Sequence, residues 1–428
     1  VGKPIIEISL PNLPQYKIVI QWKGEKPILP KTEKTYTDQA VITQGFANAK
    51  VIKIFDAQKV LRNIQVAQNL FSAQIQAIEG NYTVFAQLQQ GSLSWWMPIC
   101  FKVKPAIELV SSNNTEDNVS VFRLQNHTKA NIKAQILCHD FKKTVSIEAE
   151  KLSEEIIIPL ASLLCGTNKV SIVFEKNKTL ETTLINWQGK LQLRQESVDL
   201  SVFFNDKVTQ IFQNKYLSPR PKATTLQLPW QGIGDWPHPH ESFEVKDEGL
   251  RKLAQANDHI QLPQGIRFKT PSESNNIVFT SQWDNYPKYQ TIPLSGRASH
   301  VWFLMAGSTN PMQSQLENGQ IVVEYTDGTE EQLALRNPET WWPIDQDYFT
   351  DGFAFKLKQA RPIRIHLATG KVVDGQESKA FWNGKKIEGG AATVLDMPLN
   401  PKKTLKSLIL KTLANDVVIG LMSITLGH

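Results

Sequence analysis

The sequence predicts an all-β chain of tandem β-sandwiches, and three observations carry that prediction. Apolar and polar residues alternate with period two in short runs, as at 16–22, 83–88, 321–325 and 363–367. Each run is bounded by Gly, Asn, Asp or Pro, the residues that supply turn conformations. Helical windows are few and short. The best, 248–256, reads as one connecting turn or two.

Taken in order, the runs divide the chain in three. Residues 1–105 form a first sandwich, closed by strands at 81–88 and 93–103 around a turn at Gln90 and Gly91. Lys104 and Pro105 read as a linker. Residues 106–190 carry strands at 119–124, 130–137, 144–149, 155–159 and 170–175, an order that resembles immunoglobulin or fibronectin modules. This second module lacks aromatic clusters and reads as a spacer. Residues 191–428 hold a bridging segment and then a sandwich read as a galactose-binding-like jelly roll. Within it, Asp327-Gly328 marks a hairpin, and Gly389-Gly390 a tight turn into a strand. Two strands, 405–412 and 417–426, flank a short Ala-Asn-Asp turn. The second is almost continuously apolar, so both of its faces should be buried.

Bulk properties exclude several classes. The 428 residues carry 47 basic and 41 acidic side chains, a net charge of +6 with no long like-charged block, which argues against nucleic acid as a partner. No run of 18 apolar residues exists, so no membrane-spanning helix is expected. Cys100, Cys138 and Cys165 fit no zinc spacing. Cys100 and Cys165 read as small core residues, with a Cys138–Cys165 bridge as an alternative. Asn81, Asn113, Asn118, Asn126 and Asn177 open Asn-x-Ser/Thr sequons, which are glycan acceptors if the source glycosylates and polar turns otherwise. The chain begins at Val1 and enters strand-like sequence at Ile5, so an upstream extension of the natural protein is expected.

The eleven tryptophans are the strongest functional signal. Sugars present flat C–H faces that stack on rings, while nearby polar tips bond their hydroxyls. One cluster is Trp283, Asp284, Asn285 and Tyr286, and another is Arg336, Trp341 and Trp342. In these, Trp283, Tyr286, Trp341 and Trp342 are the expected stacking rings, and Asp284, Asn285 and Arg336 the hydroxyl partners. A third cluster surrounds Trp236, with His238, His240 and Glu241 as a weak metal pattern for which no third ligand can be named. Trp95-Trp96 lies in a strand, where neighbours face opposite ways, so one of the two should be core. Asp345, Asp347 and Asp351, with Asp284 and Glu339, are the available acids for a glycosidase pair. The same aspartates are an alternative oxygen set for a structural calcium. No nucleophile elbow, phosphate loop, zinc-protease or dinucleotide motif occurs, so no catalytic residue, cofactor or metal ligand is assigned.

Several stretches are familiar: 276–300, 303–312, 323–328, 337–343 and 389–399. Together they resemble β-sandwich regions of large, poorly characterised bacterial proteins devoted to complex polysaccharides. The resemblance covers mainly residues 230–426. It implies a location outside the cytoplasm, secreted, periplasmic or at the cell surface, and a carbohydrate setting. The helical toroid that often accompanies such sandwiches is absent from the sequence. The expectation is therefore a non-catalytic accessory or carbohydrate-binding region, with glycan or an associated catalytic domain as partner. The alternatives are a glycoside hydrolase or lyase with an acidic pair in the third domain, and a structural or adhesion scaffold.

Overall fold

The computed structural model describes residues 5–10, 13–21, 34–38, 40–111, 120–174, 178–214, 243–282, 285–309, 314–348, 360–373, 386–414 and 417–428. The protein is almost entirely β, with strand in 55% of residues against 4% helix, in several separate and mostly antiparallel sheets as tandem sandwiches require. Two compact units are present. One comprises Val1–Val110, Arg123–Ile132 and Ser146–Glu154, and the other comprises Ser111–Phe122, Lys133–Val145 and Glu155–His428.

In the first unit, a four-stranded sheet runs in the order Lys34–Thr37, Leu93–Lys104, Gly80–Gln90, Lys50–Phe55. A three-stranded sheet runs Val41–Gly45, Leu70–Ile75, Leu61–Ala67. Phe71, Ile75, Val84, Met97, Ile99 and Phe101 belong to a single core cluster. The predicted turn between the two long strands is present, with Gly91 at φ 57°, the left-handed region that favours glycine. Asn126, one of the sequon residues, is fully buried. Its amide nitrogen donates to the carbonyls of Ala130, Ile147 and Glu148, and its oxygen accepts from Thr128. An amide so occupied is a core staple rather than a glycan acceptor. Asn113, Asn118 and Asn177 lie outside the described residues.

The second unit is organised around a seven-stranded antiparallel sheet. Its order is Gln195–Val198, Val418–Gly427, His300–Gly307, Ala391–Pro398, Arg364–His366, Val372–Val373, with Val278–Ser281 also pairing to Val418–Gly427. A four-stranded sheet runs Tyr289–Pro293, Leu405–Thr412, Glu317–Tyr325, Glu330–Arg336. The last two of these form the predicted hairpin, with Gly328 at φ 82°. Val301, Phe303 and Met305 share a core cluster with Ile321, Val323, Leu408 and Leu410 of the smaller sheet. The alternate residues Trp302, Leu304 and Ala306 enter a separate core. That core also holds Leu250 and Ala254 of the helix Glu248–Ala254, Ile260 and Phe268 of a small hairpin, and Trp187. The large sheet is therefore the middle layer of three.

This explains the apolar run near the end. Every residue of Val418–Gly427 is buried, as its composition predicts. A bulge sets its parity: Leu304 faces Ser423 but Met305 faces Leu421, leaving Met422 as the extra residue. Before the bulge, the odd residues Ile419 and Leu421 enter the inter-sheet core. After it, the even residues Ile424 and Leu426 do.

Another four-stranded sheet, in the order Phe141–Ile147, Ile132–Cys138, Gly166–Phe174, Lys178–Asn186, meets the middle layer through polar groups. Asp396 and His300 are both buried, with Oδ2 and Nε2 2.8 Å apart. The same carboxylate accepts the Thr167 backbone N–H at 2.6 Å and the Thr167 hydroxyl at 3.1 Å. Trp302 Nε1 donates to the Cys165 carbonyl at 2.7 Å. Gly166, at φ 112°, leaves room for this: a Cβ there would lie 2.5 Å from the Asp396 carboxylate. All three cysteines are free. Cys138 and Cys165 are buried, but Cys100 is exposed, because it falls on the outward side of its strand.

Asp396→Ala should therefore lower stability by about 3 kcal/mol, since it strands a buried histidine and a buried N–H together. Urea unfolding followed by tryptophan fluorescence measures this, and a loss within the range of an ordinary surface substitution would contradict it.

Candidate functional site

Of the predicted stacking rings, the three that are described are buried. Trp341 is 1% and Trp342 2% exposed. Trp341 Nε1 donates to the Ser308 carbonyl at 3.2 Å, and Trp342 packs edge-on against Tyr348 with centroids 4.9 Å apart. Tyr286 is also buried. Its ring lies 5.0 Å from that of Phe279, and its hydroxyl donates to Asp206. Rings enclosed in this way have no free face for a sugar, which corrects the stacking role expected of all three. Arg336 is partly exposed and paired with Glu317 at 3.4 Å, and Asn285 is exposed. Trp283 and Asp284 lie outside the described residues, as do Trp236, His238, His240, Glu241 and Asp351.

Of the acids near Trp342, Asp345 and Asp347 are described and differ in exposure. Asp345 is 1% exposed and cannot reach a glycosidic bond, while Asp347 accepts the backbone N–H of Tyr348. Burial pushes the Asp345 carboxyl up to about 7, and the charge of Arg364 opposes that only in part. Arg364 is itself buried, donating to the carbonyls of Pro343, Gln346 and Ala391. Among the described residues no group of three or more His, Cys, Asp or Glu side chains could hold a metal ion.

An exposed aromatic face exists elsewhere, on the four-stranded sheet of the first unit. Strand pairing places Phe55, Phe85 and Pro98 in one row and Lys53, Gln87 and Trp96 in the next. Phe55 is 50%, Phe85 38% and Trp96 49% exposed, values that leave a ring face or edge of each in solvent. Phe55 and Trp96 meet edge-on, with centroids 6.4 Å apart and planes at 76°. The flanking rows carry Thr83 opposite Cys100 and Gln89 opposite Ser94. Gln87 Nε2 donates to Ser94 Oγ at 3.3 Å. The rings are thus framed by uncharged hydrogen-bonding groups, with Lys50 and Lys53 on the Lys50–Phe55 strand as the nearby charges. Trp95 turns the other way and packs against the core, which gives the split expected of Trp95-Trp96. Phe55 and Phe85 were not foreseen. They are 30 residues apart, and only strand register brings them to Trp96.

No family model and no curated protein sequence matches the chain. Among solved structures, the chain is similar to a Bacteroides ovatus protein of a mixed-linkage glucan utilization locus, SGBP-B, in complex with a mixed-linkage heptasaccharide. Identity is 10% and TM-score 0.20, over 92% of this chain and 80% of that one. Bovine butyrophilin matches at 8% identity and TM-score 0.15, over 36% and 95%. The first three fibronectin domains of chicken CNTN1 match at 10% and 0.16, over 39% and 67%. Superpositions this loose carry no argument about function. In the described residues no helix is long and apolar enough to cross a membrane.

The raised Asp345 carboxyl makes stability fall with pH. An unfolded aspartate titrates near about 3.9, so the folded state holds the proton more tightly between there and about 7. Its contribution is complete below the lower value and is lost as pH climbs through the upper one. Asp345→Asn should therefore gain in melting temperature relative to the parent as pH rises across that window. A difference that does not change with pH would refute the assignment.

Proposed function

We propose that this chain is a non-catalytic carbohydrate-binding region acting outside the cytoplasm, and that it holds a glycan on the Phe55–Phe85–Trp96 face. The carrying observation is that these rings stand partly exposed on a regular sheet while most of the described aromatic residues are enclosed. Exposed rings on a rigid sheet provide a pre-formed apolar strip, and the amides and hydroxyls beside it match sugar hydroxyls without demanding charge. The sequence resemblance to polysaccharide-related sandwiches supports the same ligand class and a secreted, periplasmic or cell-surface location, with a catalytic domain as an associated partner. The burial of Trp341 and Trp342 favours a role for these two rings in the packing of the second unit rather than in stacking on a glycan.

Affinity electrophoresis in gels cast with soluble plant, algal and bacterial polysaccharides tests the reading. At least one polysaccharide should retard the parent chain. Trp96→Ala should weaken that retention about tenfold or more, equivalent to about 1.4 kcal/mol, with an unchanged circular dichroism spectrum. Retention equal to the parent's, or a panel that retards nothing, would count against it.

A further inference from the structure

The second unit contains an open cleft of about 430 Å³ away from the buried rings. Its walls come from three separate segments: Asp199, Ser201 and Phe204 after the strand Gln195–Val198, Asp258 after the helix, and Lys269 at the end of the small hairpin with Pro271, Ser274 and Asn275 beyond it. The volume falls within the range of about 300–1,000 Å³ typical of small-molecule sites.

The polar groups of the cleft are held in place by bonds that leave little net charge. Lys269 Nζ lies 2.8 Å from Asp199 Oδ2, and Asp199 Oδ1 accepts the Ser201 N–H at 2.9 Å. Asp258 Oδ1 accepts both the N–H and the hydroxyl of Ser272, at 3.0 and 3.1 Å. Its other oxygen has no hydrogen-bond partner among the described residues. The backbone of Asp258 is fixed as well: its N–H donates to Ala254 and its carbonyl accepts from Thr270. The segment bearing Phe204 is pinned next door, where Asn205 exchanges two hydrogen bonds with the backbone of Phe279. One wall is thus a partly exposed ring with Leu200 and Pro271 beside it, and the other a set of fixed acceptors and donors.

We infer that this cleft binds a neutral, hydroxyl-rich small ligand: one sugar residue, or the end of a short saccharide. Vicinal hydroxyls donate to Asp258 and accept from Lys269 and the Asn275 amide, while the C–H face rests on Phe204. With Lys269 paired to Asp199, the carboxylate left over, Asp258, disfavours an anionic ligand, and that pairing leaves a cation only this single charge. Lys269 and then the Ser201 N–H hold Asp199 down to about 2, and the two Ser272 bonds also lower Asp258. Both acceptors therefore stay ionised at neutral pH, and binding should be flat from there down to about the ordinary carboxylate range. The choice of a sugar deepens the carbohydrate reading and rests on it for ligand class, but the cleft belongs to the other unit and is tested separately.

The experiment is saturation-transfer NMR on the intact chain with single probes: glucose, galactose, mannose, xylose, rhamnose and glucuronate, with putrescine as the cationic control. At least one neutral sugar should bind. Asp258→Asn and the cleft-filling Ser201→Trp should each weaken it about tenfold, while Lys402→Ala, at an exposed position that lines neither site, leaves it unchanged. Ser201 is exposed, so its replacement tests occlusion even if Asp258→Asn perturbs the fold. The inference is overturned if no neutral sugar binds, if only putrescine or glucuronate binds, or if Ser201→Trp binds like the parent. It is equally overturned if sugar binding is lost in Trp96→Ala alone. Loss of polysaccharide retention in Trp96→Ala tests the aromatic face, so the two readings fail independently.

Discussion

A sheet covered on both faces has no side on which a polar residue is free, and the second unit is arranged around that constraint. In the strands His300–Gly307 and Val418–Gly427 every residue is buried, so each must be apolar or find a partner. His300, Trp302 and Thr425 have found partners, while the Ser423 hydroxyl has none among the described residues. The Thr280 and Thr412 hydroxyls bond each other at 2.7 Å, and the Thr425 hydroxyl donates to the Arg267 carbonyl. Gly420 sits where a Cβ would come within 2.4 Å of the Ala306 carbonyl oxygen and of Ile277. The small residues in this strand are therefore set by close backbone approach, and the bulge at Met422 keeps large residues directed into both cores.

Polar staples then fix what the apolar contacts leave unspecified. Hydrophobic contact between sheets tolerates sliding, whereas a carboxylate that must accept from one N–H and one hydroxyl does not. Asp396 does this for Thr167, Asn168 does it within its own loop by bonding Leu164 and Gly166, and Asn126 does it in the first unit. These residues carry no signature in a sequence. Asn126 even carries a misleading one, since the sequon that suggests a surface asparagine belongs to a buried one.

The fold class and many strands were legible because period two and turn residues are local signals. Gly91, Gly328, Gly389 and Gly390 all lie at positive φ next to strands, as their sequence contexts predict. The doubly buried strand was readable from composition. The site was less so, for a physical reason. A tryptophan beside aspartate and asparagine looks the same whether its ring plugs a core or lines a groove, and Trp341 and Trp342 took the first course. Trp95-Trp96 gave a usable hint because alternation requires one ring to face out. The companions Phe55 and Phe85, and the cleft walls at Asp199, Asp258 and Lys269, come together only through pairing between distant segments. No local pattern encodes that.

The position of Val418–Gly427 also governs the order in which the second unit can be assembled. This strand pairs with Gln195–Val198, Val278–Ser281 and His300–Gly307, all far upstream of it. During synthesis the ribosome releases those three strands long before their common partner exists. Until it arrives, strongly apolar strands wait with open edges, a state that favours non-native association and slows closure. The unit is thus expected to mature after translation of its last strand rather than progressively, and to depend on chaperoning or dilution in that interval.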